Sequence, residues 1–132
     1  EGTNTWTYAT ETWRQANAST ANQLDFVVGV AEGALHAEVL AIVYADTAGD
    51  STGVAIGLDS TTALATGSLG GSTNIFVATS SYYHRVISVL DTFPTIGRHF
   101  AAWLERSTAT NTWIGDDGST NAQSGITGFI EG

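Results

Sequence analysis

Pro94–Gly132, which reads PTIGRHFAAWLERSTATNTWIGDDGSTNAQSGITGFIEG, is the stretch that decides the fold class. Within it, His99–Arg106 places successive side chains on opposite faces, as a β-strand requires. Shorter strands are predicted at Asn111–Ile114 and Ile126–Glu131, and the turn-forming segment Gly115–Ser119 follows the first of them. A proline turn, short strands and Gly-rich loops in this order predict antiparallel β-structure.

The strongest alternation along the chain lies in Glu32–Ala45, which reads EGALHAEVLAIVYA. One face of this predicted strand is entirely apolar: Leu35, Ala37, Val39, Ala41 and Val43. The other face changes from polar to apolar along the strand: His36, Glu38, Leu40, Ile42 and Tyr44. Because Leu40, Ile42 and Tyr44 make the far end apolar on both faces, we expect a cover on each side. The facing sheet supplies one cover and a neighbouring subunit or a terminal segment the other, so these three residues are predicted to lie at a subunit interface.

Shorter alternating segments complete the pattern. Tyr82–Leu90 is a further strand, whereas Trp13–Leu24 is expected to hold at most one short helical turn, because its Asn, Ser and Thr residues favour turns. Additional short strands are predicted in four places: Thr5–Ala9, Leu24–Val30, Val54–Leu58 and Asn74–Thr79. About eight short strands separated by Gly-rich loops indicate an all-β, jelly-roll-like antiparallel β-sandwich. Residues 1–132 are expected to form this single domain.

Composition and charge exclude several classes of function. The net charge is −9 and the chain has no lysine, so it lacks the clustered cations on which nucleic-acid binding depends. It has no cysteine, which excludes thiol catalysis and Cys-ligated zinc, and it has no run of about 18 apolar residues for insertion into a membrane. It also has no methionine, and we expect a processed form or an excised domain. No cofactor is expected.

Three short motifs are candidates for chemistry, and each has a simpler interpretation. Gly49–Gly53 contains a Gly-Asp-Ser sequence of the kind that surrounds a serine-protease nucleophile, but a hairpin turn uses the same residues. His36 and Glu38 share a strand face, as two metal ligands can, although a histidine bonded to a carbonyl or a carboxylate is the preferred interpretation. Asp116–Asp117 is a candidate Ca²⁺ site, and a plain turn is preferred there.

Catalysis would need a more complete set of residues. A glycosidase requires two facing carboxylates, for which Glu38 and Glu105 are the candidates. No catalytic, cofactor-binding or metal-binding set is complete in the sequence, so we do not expect an enzyme.

Three aromatic residues are candidates for contact with a partner: Trp6, Trp13 and Tyr83. Planar aromatic rings stack on sugar rings, so an alternative function is a secreted carbohydrate-binding or adhesive β-sandwich module. This alternative requires the three side chains to face solvent together, in one plane.

Strand and turn positions of the last third of the chain form a recognisable layout. They are Pro94, Gly97, His99, Leu104, Glu105, Trp113, Gly115, Asp116, Gln123, Ser124, Gly125 and Gly128. This layout resembles the C-terminal β-sandwich domain of tailed-phage virion proteins, such as fibres, head-decoration proteins and minor structural proteins. The resemblance implies a structural protein on the virion surface that stabilises a capsid or presents loops to a host. It further implies a homotrimer whose other partners are the major capsid protein or a fibre shaft, together with a host-surface glycan. At His99 it implies packing near a turn and not catalysis.

Overall fold

The structure is a computed structural model that describes residues 2–31, 33–45, 49–70, 72–74, 82–116 and 123–131. Its strands are β1 (Thr5–Tyr8), β2 (Arg14–Gln15), β3 (Gln23–Val28), β4 (Ala34–Ala45), β5 (Ser51–Leu58), β6 (Leu69–Gly70), β7 (Ser72–Asn74), β8 (Tyr82–Thr92), β9 (Gly97–Ser107), β10 (Asn111–Ile114) and β11 (Gly125–Glu131). A three-residue turn, Ala16–Ala18, follows β2, and its Asn17 and Ala18 lie in the left-handed region at φ 53° and 48°, so it is no regular helical turn. The strand predicted at Asn74–Thr79 lies outside the described residues except for Asn74, which ends β7.

The strands form two antiparallel sheets. In the first, sheet A, the strands β1, β10, β4, β8 and β6 are hydrogen-bonded in this order. β11 pairs with Ala34–Leu40 and β10 with Ile42–Tyr44, so the two strands lie end to end along the edge of β4 that faces away from β8. In the second, sheet B, β3 and β2 pair in the same way with one edge of β9, and β5 and then β7 follow on its other edge.

The path of the chain through these sheets is that of a jelly roll. β1 lies in sheet A, β3 in sheet B, β4 in sheet A and β5 in sheet B; β7, β8 and β9 then fall in sheets B, A and B, before β10 and β11 return to sheet A. Counting β2 with β3 and β10 with β11, and leaving aside the two-residue β6 at the edge of sheet A, eight strands thus form two four-stranded sheets. The predicted jelly-roll-like antiparallel β-sandwich is therefore confirmed.

The core lies between the two sheets and is built from the alternating residues of the long strands. Leu35, Val39 and Val43 of β4 point into it, as the sequence alternation predicted. At one end Trp6, Trp103 and Trp113 pack against one another, with ring centroids 5.7 to 6.4 Å apart. Three mutually packed indoles bury a large apolar area, so this cluster anchors β1 to both sheets.

The chain itself covers the centre of the outer face of sheet B. Ala55, Ala102 and Leu104 point away from the core and are nevertheless fully buried. The segment that follows β5 folds back over the sheet, with Asp59 in the left-handed region at φ 52°. Gly57 makes this return possible, because a Cβ atom at this position would collide with the backbone of the returning segment.

Candidate binding surfaces

The outer face of sheet A carries a continuous set of apolar side chains. The register of β4 and β8 places Tyr83, Arg85 and Ile87 directly opposite the predicted interface residues. Leu69 of β6 extends the set because it lies opposite Val89. We call this surface the outer band; it consists of Leu40, Ile42, Tyr44, Leu69, Tyr83, Ile87 and Val89. The three residues of β4 were predicted from the sequence. Those of β8 could have been predicted in the same way, because the alternation of that strand places Tyr83, Ile87 and Val89 on one face.

Much of the outer band is open to solvent. Leu69, Tyr83 and Ile87 are 74%, 68% and 49% exposed, and the rings of Tyr44 and Tyr83 lie 5.2 Å apart. Ile42 is largely covered: its backbone N–H donates to the Ser124 hydroxyl at 2.8 Å. Large exposed apolar residues in one patch mark contact surfaces in soluble proteins. The assignment of Leu40, Ile42 and Tyr44 to a subunit interface stays a prediction.

The three candidate aromatic residues lie in three different parts of the molecule. Trp6 is 8% exposed, within the core, so the expectation that it faces a partner is wrong. The reason is that Trp6 lies opposite Trp113 on β10, and this pairing places the Trp6 ring between the two sheets. Trp13 is half-buried against the outer face of sheet B, where Arg106 lies over its ring, and Tyr83 is exposed on sheet A. The three side chains therefore form no common aromatic plane.

Glu105 is a fully buried carboxylate in the core. It accepts hydrogen bonds from the Trp6 indole N–H at 2.7 Å, from the Arg14 Nε–H at 2.8 Å and from the Asn17 backbone N–H at 3.1 Å. Burial raises the pKa of Glu105, and the hydrogen bonds and the Arg14 charge oppose that rise. Glu38 projects from the outer face of sheet A, so the two carboxylates do not flank a common site as a glycosidase would require.

Two histidines are held by carboxylates, which is the interpretation preferred from the sequence for His36. Its Nδ1 lies 2.7 Å from the Asp91 carboxylate. His99 contacts Asp59 through Nδ1 and the Thr95 carbonyl oxygen through Nε2, both at 2.7 Å. Because both neighbours are acceptors, both ring nitrogens of His99 must donate, and that requires the protonated ring.

The surroundings of the His99 pair shift both pKa values toward the charged forms. The hydrogen bonds to Asp59 and Thr95 raise the pKa of His99. Desolvation opposes ionisation of Asp59, but hydrogen bonds from His99 and the Phe100 amide outweigh it and lower the pKa of Asp59. The pair therefore fastens the turn after β5 to the start of β9, which is consistent with a packing role for His99.

The remaining motifs have structural surroundings. Ser51 of the Gly-Asp-Ser sequence begins β5, and its backbone N–H donates to the Thr108 hydroxyl at 2.8 Å. Asp116 forms a β-bridge with Gln123, and Asp117 lies outside the described residues. Within the described part of the chain, no three His, Asp or Glu side chains converge as metal ligands would. No helix among the same residues is long and apolar enough to cross a membrane.

A scan against protein-family models and searches of curated proteins and of solved structures found no match to this chain.

Proposed function

We propose that this chain is a structural protein of a virion surface, on a phage capsid or fibre, and that it assembles as a homotrimer. In this role it stabilises the capsid or presents its loops to the host. The observation that carries the proposal is the outer band, an exposed apolar surface on a sandwich whose other sheet is covered at its centre by its own chain. Such a surface is stabilised by burial against another subunit.

The polar groups beside the outer band support a protein interface. Arg85 lies within the outer band, opposite Ile42, and Glu38 lies opposite Val89 at one end of it, so the apolar residues adjoin charges of both signs. Specific interfaces combine apolar residues with polar groups, and arginine is enriched in them. The jelly-roll topology supports the proposal at the level of fold, since virus capsid domains are among the proteins that use it, but lectin domains share it.

The mass of the whole chain in solution tests the proposed assembly. Light scattering at micromolar concentration is expected to give three times the chain mass. Ile87→Lys places a charge in the middle of the outer band and is expected to give the monomer mass. Val27→Lys is the matched control, because Val27 is an equally aliphatic and 69% exposed strand residue outside the band.

Two results would contradict the proposed trimer: a monomeric wild-type chain, or an Ile87→Lys variant that stays trimeric. The virion location is tested separately, by mass spectrometry of purified particles from a host that carries this sequence. Absence of the chain from such particles would remove the virion assignment and leave the assembly result standing.

A further inference from the structure

A cavity of about 260 Å³ opens on the outer face of sheet A, at the far end of β4 from the outer band. We call it the Ala34 cavity. Its lining includes Ala34, His36, Asp91, Phe93, Phe129 and Glu131. Its volume is below the roughly 300–1,000 Å³ of sites for drug-sized ligands, so it suits a single small ring.

The pairing of three strands creates this cavity. His36 in the middle strand lies opposite Asp91 of β8 on one side and opposite Phe129 of β11 on the other. The next outward position on β4 is Ala34, opposite Glu131. Because alanine has only a methyl group, the larger side chains around it stand above it and leave a hollow.

Two phenyl rings border the hollow and are open to water. Phe93 is 72% exposed and Phe129 is 54% exposed. The imidazole of His36 stacks on Phe129 with centroids 5.1 Å apart, and the Asp91 carboxylate holds that imidazole through Nδ1. The Phe129 ring is therefore held by its neighbours while part of its apolar surface stays available to a ligand.

The polar groups at the cavity select the kind of ligand. Asp91 and Glu131 supply carboxylate oxygens, which accept hydrogen bonds, and Nε2 of His36 is the ring nitrogen that Asp91 leaves available. A sugar ring uses all of these at once, since its C–H face stacks on an aromatic ring while its hydroxyls bond to carboxylates and imidazole. A quaternary ammonium ion would pair with the carboxylates and lie against the phenyl rings, but it would form no hydrogen bond with the His36 imidazole. Anionic ligands are disfavoured by the two carboxylates and by the net charge of −9.

Phe129 also lines a second cavity, of about 250 Å³, between the edge strands β3 and β11. Leu24, Phe26 and Ile130 give this second cavity an apolar lining, and Leu35 borders both cavities. Two adjacent hollows that share the lining residues Leu35 and Phe129 fit two consecutive rings of a chain better than they fit one compact molecule.

We propose that the Ala34 cavity binds one ring of a neutral oligosaccharide, that the cavity between β3 and β11 takes the next ring, and that Phe129 contacts both. This binding site goes beyond the proposed assembly and does not depend on it, because the Ala34 cavity lies at the other end of β4 from the outer band.

Titration of the isotope-labelled full chain with defined sugars tests the proposal by nuclear magnetic resonance. The probes are lactose, cellobiose, maltose and diacetylchitobiose, with sialyllactose as an anionic sugar and choline as a quaternary ammonium ion. At least one neutral disaccharide is expected to give saturable shifts at the amides of His36, Asp91 and Phe129. Sialyllactose and choline are expected to shift those amides far less.

Variants separate this site from other exposed aromatic residues. Phe129→Ala is expected to weaken binding by at least about tenfold, which corresponds to about 1.4 kcal/mol. Phe93→Ala and Asp91→Asn are expected to weaken it as well, and both change exposed side chains, so a folding defect in one variant leaves two others to decide. Tyr83→Ala, which removes an equally exposed ring from the outer band, is expected to leave the affinity unchanged.

Three results would overturn the proposal: no neutral disaccharide shifts these amides, choline or sialyllactose binds there in preference to every neutral sugar, or folded Phe129→Ala binds as tightly as wild type. None of these results alters the mass of the assembly, so failure of the sugar site is distinguishable from failure of the proposed trimer.

Discussion

The indole N–H of Trp6 donates to the Glu105 carboxylate at 2.7 Å and thereby links sheet A to sheet B through the core. Arg14, which lies opposite Glu105 in sheet B, brings the compensating charge with an N–O distance of 2.8 Å. A buried carboxylate is tolerated only when its hydrogen bonds and its charge are satisfied, so the N-terminal strands are held in place by one side chain of β9.

Removal of Arg14 is expected to destabilise the fold, because the buried Glu105 carboxylate would lose its compensating charge. Arg14→Ala should lower the free energy of unfolding by about 2 kcal/mol or more. This cost is smaller than that of breaking a fully buried ion pair, because the Arg14 side chain is one-third exposed. Urea denaturation measures it. Arg98→Ala is the control, since that side chain is 80% exposed and 3.8 Å from Asp25, and should cost less than about 1 kcal/mol.

A double variant isolates the charge from the contact that Arg14 makes with the Tyr8 ring. In a Glu105→Gln background the buried group is neutral, so Arg14→Ala should cost less than it does in wild type. Equal costs in the two backgrounds would show that ring packing and not charge carries the effect.

The His99–Asp59 pair predicts a stability change at neutral to alkaline pH. Because the pKa of His99 is raised above its ordinary value of about 6.5, its contribution is fully present below about pH 6.5 and is lost as the pH rises through the raised value. The lowered pKa of Asp59 preserves the pair in acid until the pH falls below about 3.8.

Unfolding free energies of wild type and His99→Gln measure this effect across the pH range. Their difference is expected to be largest between about pH 4 and 6.5 and to shrink above that window. Asp59→Asn should remove the same pH-dependent part. A difference that is constant from acid to alkaline pH would contradict the ion pair.

Gly57 predicts a steric effect on the turn that covers sheet B. In Gly57→Ala the new methyl group would meet the carbonyl oxygens of Ser60 and Ala63, the latter at 2.8 Å, and both belong to the backbone. We expect a loss of about 1–3 kcal/mol in the free energy of unfolding, as for other overpacked sites. Gly125→Ala is the control because a Cβ atom there meets nothing within 4 Å.

The proposed trimer predicts a concentration-dependent melting temperature. Association through the outer band stabilises the folded chain by mass action, so the midpoint of thermal unfolding should rise with protein concentration. Ile87→Lys should abolish that rise and Val27→Lys should retain it. Midpoints that coincide for wild type at all concentrations would argue against assembly under these conditions.

The sequence was sufficient for the sandwich, because long strands such as β4 and β9 alternate clearly enough to show their buried faces. Shorter strands carry less information. β1 has four residues, and which of its faces lies inward depends on its pairing with β10 at the other end of the chain. That long-range pairing is why the burial of Trp6 was not predicted.

The candidate sites were likewise predictable only where they depend on one strand and not on the pairing of several. Three of the seven residues of the outer band were visible in β4 alone, whereas the Ala34 cavity exists only when β4, β8 and β11 are aligned in one register. Glu105 shares a strand face with Trp103 and Ala101, which was a signal of its burial that the sequence-based prediction did not use. The hydrogen bonds that Glu105 accepts from Arg14 and Trp6 could not be predicted, because no local pattern pairs residues so far apart in sequence.

The pairing of β1 with β10 also has a kinetic consequence. β1 is made before the other strands of the sandwich, whereas its partner β10 is made after most of them. The Trp6 side chain therefore lacks its tryptophan neighbours until β9 and β10 have also emerged. Folds dominated by such distant pairings form on the order of milliseconds to seconds, so this sandwich is expected to close only after β10 has emerged.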